Sequence, residues 1–122
     1  ILPLLRTDIL EIFESCVDRR LNSIKVDWRK DASVAVVLAS GGYPTTYRTG
    51  YPIDGLALDR DSVNIFHAGT KLDGEGKIVT NGGRVLAVNA LAPDINQAAD
   101  VVYENIREIT FSNMYYRTDI GK

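Results

Sequence analysis

Apolar residues recur along this chain at helical spacing in two places and at strand spacing between them. Ile9, Ile12, Phe13, Cys16, Val17 and Leu21 follow one another at intervals of three, one, three, one and four, with Glu11, Glu14, Asp18 and Arg19 on the opposite side. That is one face of a helix over about residues 8–21, and Asp8 three residues before Glu11 has the form of a helix start. Pro3 blocks a helix in the run that precedes it. No neighbouring helix in the sequence covers this stripe, so it is expected to pack on other chain.

Residues 25–28 alternate, and Arg29-Lys30-Asp31 is a polar turn that reads as a boundary between structural units. Ser33 to Ala39 is a continuous, β-branched run that predicts a buried strand. Ser40-Gly41-Gly42-Tyr43-Pro44 ends it. A loop follows to a short extended piece at 53–56. Val63 to His67 alternates as a strand, Asp73-Gly74-Glu75-Gly76 is a hairpin-type turn, and residues 77–80 return. Asn81-Gly82-Gly83 is a second turn before residues 84–90, so 63–90 predicts an antiparallel meander of three strands. Ala92-Pro93-Asp94 opens a second helix, with the proline suited to its first turn. Ile95, Ala98, Ala99, Val102, Ile106 and Ile109 mark its apolar face, and Asp100, Glu104, Asn105 and Glu108 are expected to face out. The predicted fold class is α+β: an antiparallel sheet with one long packing helix.

Composition narrows the function. The chain has 122 residues, 45% of them apolar, which supports one compact domain or a domain plus a piece of another. Fourteen basic and sixteen acidic residues leave a net charge of -2, against a nucleic-acid module. One cysteine excludes an internal disulfide and a Cys-rich zinc site. There is no apolar run of about 18 residues and no basic-then-apolar leader, so no membrane span or signal peptide is predicted. The chain starts at Ile1 and its one methionine is Met114. It is therefore expected to be processed, or cut from a longer polypeptide.

Candidate chemistry is sparse. In Asn81-Gly82-Gly83-Arg84, the glycines allow close backbone approach to a ligand and the arginine can clamp a phosphate. A plain hairpin turn is the preferred reading from local sequence, because Asn-Gly is a strong hairpin signal. Ser40 to Pro44 lacks phosphate-loop spacing and reads as a strand-ending turn. His67, in His67-Ala68-Gly69-Thr70, lacks a nucleophile or metal-ligand partner in the sequence and reads as structural. Cys16 reads as a small hydrophobe, Asp73 and Glu75 as solvated, and Tyr115, Tyr116 and Arg117 as a tail pinned by its rings.

Read together, Ile1-Leu2-Pro3-Leu4-Leu5, Val36 through Pro44, Phe66-His67-Ala68-Gly69-Thr70, Val79 through Val88 and Tyr116 through Gly121 resemble the C-terminal part of the phosphoribosylamine–glycine ligase family, the glycinamide ribonucleotide synthetases. The resemblance covers essentially the whole chain. Thr49, where the family commonly has lysine, and Thr45, where glycine or glutamate is frequent, depart from the pattern; they count against a functional lysine in that loop, not against the resemblance.

The resemblance implies an ATP-grasp ligase of purine synthesis, cytoplasmic, which uses ATP and magnesium (or manganese) to join glycine to 5-phosphoribosylamine. It implies that residues 1–28 are the last helix and strand of the ATP-grasp domain. Residues 29–122 would be the C-terminal domain, of the barrel-sandwich or rudiment single-hybrid type. The catalytic and metal-binding residues are expected upstream of Ile1, so this piece alone should be inactive and bind no ATP. It brings the anion reading of Asn81, Gly82, Gly83 and Arg84 level with the plain turn, with Arg84 as clamp on the 5-phosphate. Fusion of the parent to later purine-pathway enzymes is a further possibility. The contrasting reading is a stand-alone, non-catalytic binding module that reuses this fold.

Overall fold

The computed structural model describes residues 1–57 and 62–122. In chain order its elements are α1 (Ile9–Val17), β1 (Ala32–Ser40), β2 (Val63–His67), β3 (Thr70–Leu72), β4 (Ile78–Thr80), β5 (Arg84–Ala92), α2 (Ile95–Ile106) and β6 (Met114–Tyr115). Single 3-10 turns lie at Leu2–Leu4, with Pro3 inside the turn, and at Leu21–Ser23.

An antiparallel sheet in the order β2-β5-β1-β6 forms the centre. Ala32 lies opposite Ala92, and Leu38 opposite Leu86. Val34, Val36 and Leu38 therefore share one face with Ala90, Val88 and Leu86, and all six are buried. α2 covers that face with Ala98, Ala99, Val102 and Ile106. Full burial of each large apolar side chain stabilises the fold by about 1.5–3 kcal/mol, so this layer of β1, β5 and α2 is the core. Asp94 caps α2, its Oδ1 accepting the Gln97 N–H at 2.9 Å, a cap worth about 1 kcal/mol.

The fold is α+β, with an antiparallel sheet and one long packing helix. Several details differ from the sequence reading. The three-strand meander is not formed: β2 pairs with β5, while β3 and β4 pair separately as a two-stranded sheet. The switch happens at Ala68 and Gly69, whose N–H groups both donate to the Val85 carbonyl at 3.0 Å and turn the chain out of the main ladder. β1 is not buried throughout, because only one of its faces meets α2. Val37 is 43% exposed on the other.

α1 ends at Val17, since Arg19 adopts φ 56 and the chain closes into the following 3-10 turn. α2 ends at Ile106. The Glu108 and Ile109 N–H groups reach back three residues instead of four, to Asn105 and Ile106. Pro93 precedes the cap residue rather than occupying the first turn. Asn105 is buried, not outward, because it falls on the helical face shared by Val102 and Ile109. Its Nδ2 donates to the Val101 carbonyl at 2.8 Å. Ile95 is exposed at the open start of the helix. Residues 25–28 form only a single bridge, Leu5 to Trp28, within a small cluster of bonds among Leu4, Arg6, Thr7, Asp27 and Arg29. No helix among the described residues is long and apolar enough to cross a membrane.

Candidate functional site

Regular alternation along β5 would place Arg84 beside Leu86 on the covered face. The ladder prevents this. Leu38 faces Leu86 but Ala39 faces Arg84, so Val85 is an extra residue, a β-bulge. Val85 is fully buried, and Arg84 is turned to the face that α2 does not cover. Bulges re-aim side chains in this way at functional sites. Arg84 is exposed, and its guanidinium forms no hydrogen bond or ion pair with the described residues.

Three segments that the sequence separates meet here. Ser40, buried, donates its N–H to the Gly83 carbonyl at 2.8 Å and its hydroxyl to the Gly82 carbonyl at 2.9 Å. The ring of Tyr43 lies on Gly83 so closely that a Cβ there would collide with it. Gly69 packs backbone to backbone on Gly82, and its carbonyl accepts the Asn81 N–H at 2.7 Å. The carbonyls of Gly82 and Gly83 are thus occupied from below, while their N–H groups donate to none of the described residues. Two free amides followed by an unpaired arginine are the donor set an anion needs. The sequence reading named each segment but kept the Ser40–Pro44 turn apart from Asn81–Arg84. Ser40 and Tyr43 are the residues it missed; the signal available was the small polar residue and the glycines at the end of a buried strand.

An open hollow of about 520 Å³ lies against this turn. Val37 and Ala87, opposite each other in the ladder, line it from the sheet. Tyr43 and Tyr47 line it as well, their ring centroids 6.0 Å apart and the rings tilted by 58°. Arg84 is the only charged residue among the described ones lining it, so none of the described carboxylates competes there for an anion. A second hollow of about 300 Å³ shares Tyr43 and Arg84 and extends to Tyr115 and Ile120.

The other candidates lie elsewhere or have other work. His67 Nδ1 and Thr70 Oγ1 are 3.0 Å apart across the bend between the two sheets, a structural bond. Cys16 is exposed on α1, as part of an uncovered stripe. Asp73 Oδ1 accepts the N–H groups of Lys77 and Glu75, which hold its carboxyl below the usual value and lock the hairpin turn. Tyr116 packs against Tyr103, whose hydroxyl donates to the Arg117 carbonyl and accepts from the Ile120 N–H. Tyr115 instead stays exposed, opposite Ala39 and on the same row as Arg84. Arg117 is tied bidentately to Asp119 at 2.6 and 2.8 Å. That pairing raises the arginine's pKa and lowers the aspartate's. Among the described residues no three His, Cys, Asp or Glu side chains converge as metal ligands. These residues do not fit a magnesium site of their own, and the phosphate contacts derived below use only amide and guanidinium groups.

A family model described as "Phosphoribosylglycinamide synthetase, C domain" matches residues 33–122. Phosphoribosylamine–glycine ligase of Synechocystis is 46% identical over 99% of this chain, which spans 29% of that relative. The trifunctional purine biosynthetic protein adenosine-3 of Gallus gallus is 43% identical over 99% of the chain, which spans 12% of it. The crystal structure of phosphoribosylamine–glycine ligase from Thermotoga maritima superposes with a TM-score of 0.68 at 34% identity, over 88% of this chain and 27% of that one.

Proposed function

The chain belongs to the phosphoribosylglycinamide synthetase C-domain family, and from that premise we propose that it serves as the C-terminal part of a phosphoribosylamine–glycine ligase. In this reading residues 29–122 are that domain and residues 1–28 are the end of the ATP-grasp domain. The complete cytoplasmic enzyme phosphorylates the glycine carboxylate with ATP. The amine of 5-phosphoribosylamine then attacks the acyl carbon, forming the C–N bond as phosphate leaves. The products are glycinamide ribonucleotide, ADP and phosphate. ATP and a divalent cation are held by the remainder of the polypeptide.

The part assigned to this chain is the grip on the acceptor. The observation that carries it is the turn itself: the amides of Gly82 and Gly83, which engage none of the described residues, beside an Arg84 that a bulge turns outward. A phosphate placed there accepts from both amides and from the guanidinium fork. Anchoring the 5-phosphate at a fixed point restricts where the amine can lie, which converts binding into orientation for attack. Asn81 lines the same hollow.

The uncovered stripe of α1 supports work within a larger assembly rather than as a free-standing module. Leu10, Phe13 and Val17 are 60%, 57% and 82% exposed on a helix whose period builds an apolar face. In this reading the rest of the polypeptide covers them. Fusion to later purine-pathway enzymes, as the name of the Gallus gallus relative indicates for that protein, is compatible with the same role.

The test is Arg84→Ala in the complete polypeptide. Loss of a charged partner to phosphate should raise KM for 5-phosphoribosylamine by about 30-fold or more, with KM for ATP and glycine within about twofold. Unchanged constants for all three substrates would remove Arg84 from the site.

A further inference from the structure

We propose that Tyr43 and Tyr47 select the carbon skeleton attached to the phosphate, their paired rings forming the wall against which the pentose of a phosphorylated sugar lies. This rests on the phosphate reading of Gly82, Gly83 and Arg84 and goes beyond it to the rest of the ligand. The donors are part of the lining of the hollow, and a bare phosphate leaves most of its 520 Å³ unfilled. Tyr43 is not free to drift from those donors, because its ring lies directly on the Gly83 backbone. In this reading the atoms bonded to a phosphate held there run alongside that ring, which lines the same hollow.

Tyr47, 6.0 Å away and tilted by 58°, makes the wall angular rather than flat. A sugar ring suits such a wall. Its C–H face packs on aromatic carbon and on Val37 and Ala87, while its hydroxyls need hydrogen-bond partners. Neither phenol is bonded to a described residue, so both remain available to those hydroxyls. Both rings are about two-fifths exposed, 41% and 39%. A ligand between them thus gains apolar burial that the free protein lacks.

The experiment measures how well ribose 5-phosphate and methyl phosphate compete with 5-phosphoribosylamine in the complete polypeptide. In the unaltered protein ribose 5-phosphate should bind about tenfold more tightly than methyl phosphate. Tyr47→Ala should erase most of that preference while leaving methyl phosphate within about twofold. Because Tyr43 also supports the turn, Tyr43→Leu is used for it, and the same loss of preference is expected. Tyrosine variants that fold normally and keep the preference would overturn the wall, and the phosphate reading would stand if Arg84→Ala still weakens both ligands. Equal weakening of both ligands by the tyrosine variants would also overturn it, reducing the rings to supports of the turn. If Arg84→Ala affects neither ligand, the phosphate reading fails, and the wall fails with it.

Discussion

The Ser40 hydroxyl donates to the Gly82 carbonyl at 2.9 Å, across 42 residues of sequence. With the Ser40 N–H on the Gly83 carbonyl, it fixes the two glycines that line the hollow. Ser40→Ala removes the first bond and leaves the partly buried Gly82 carbonyl short of its partner. The expected cost is about 1–2 kcal/mol in chemical denaturation, accompanied by weaker phosphate binding in the complete polypeptide. An unchanged denaturation midpoint would show that the hydroxyl does not hold the turn.

Gly83→Ala places a methyl group in the Tyr43 ring. Either the ring leaves or the turn shifts, and such overpacking costs about 1–3 kcal/mol. The Tyr43 ring resonances should move with it. Gly74→Ala is the control: nothing lies within 4 Å of that position, so its stability should stay within about 0.5 kcal/mol of the parent. Equal effects of the two substitutions would contradict the placement of Tyr43.

Acid should loosen the β3–β4 hairpin through Asp73. Its carboxyl is held below its ordinary value of 3.8 by the N–H groups of Lys77 and Glu75. A carboxyl depressed in the folded state contributes its full stabilisation above the ordinary value. That contribution fades as pH falls through the lower, folded value. An NMR titration of the Asp73 carboxyl, with amide exchange at Glu75 and Lys77, follows both. Asp73→Ala should abolish the acid-dependent part, and a midpoint at or above 3.8 would contradict the assignment.

Substitutions on α1 should act in opposite directions in two settings. In the 122-residue chain, Phe13→Lys places a charge on a surface already wet, and self-association measured by sedimentation should fall. In the complete polypeptide the same change should cost about 2 kcal/mol or more, because there the stripe is covered. If the change is neutral in the complete polypeptide, α1 faces solvent there too.

The elements of the core were readable because their signals are local. The Ile106 and Val102 spacing marks α2, and the Val34-Val36-Leu38 run marks β1. Asn105 was misassigned because polarity outweighed its position, although the helical period already put it beside Val102 and Ile109. The meander failed for a different reason. Alternation identifies strands but not partners, and the pairing of β2 with β5 depends on the turn at Ala68 and Gly69 toward Val85.

The site was legible only as separate strings. His67 to Thr70, Ser40 to Pro44 and Asn81 to Arg84 each stood out, yet their meeting depends on a glycine packed on a glycine and on one serine bonded twice. The outward direction of Arg84 was beyond any period-two reading, since the bulge at Val85 inverts the parity of β5.

The small second sheet gives the molecule an attachment point. Gly74 and Gly76, at the tip of the β3–β4 hairpin, have open space around them, while the far end of β4 runs straight into Asn81. A fluorophore or short peptide grafted at the tip should be tolerated there, as exposed loop tips accept insertions. The tip residues do not line the hollow, and β4 connects them to the anion turn that follows it, so a probe there would report ligand arrival from outside.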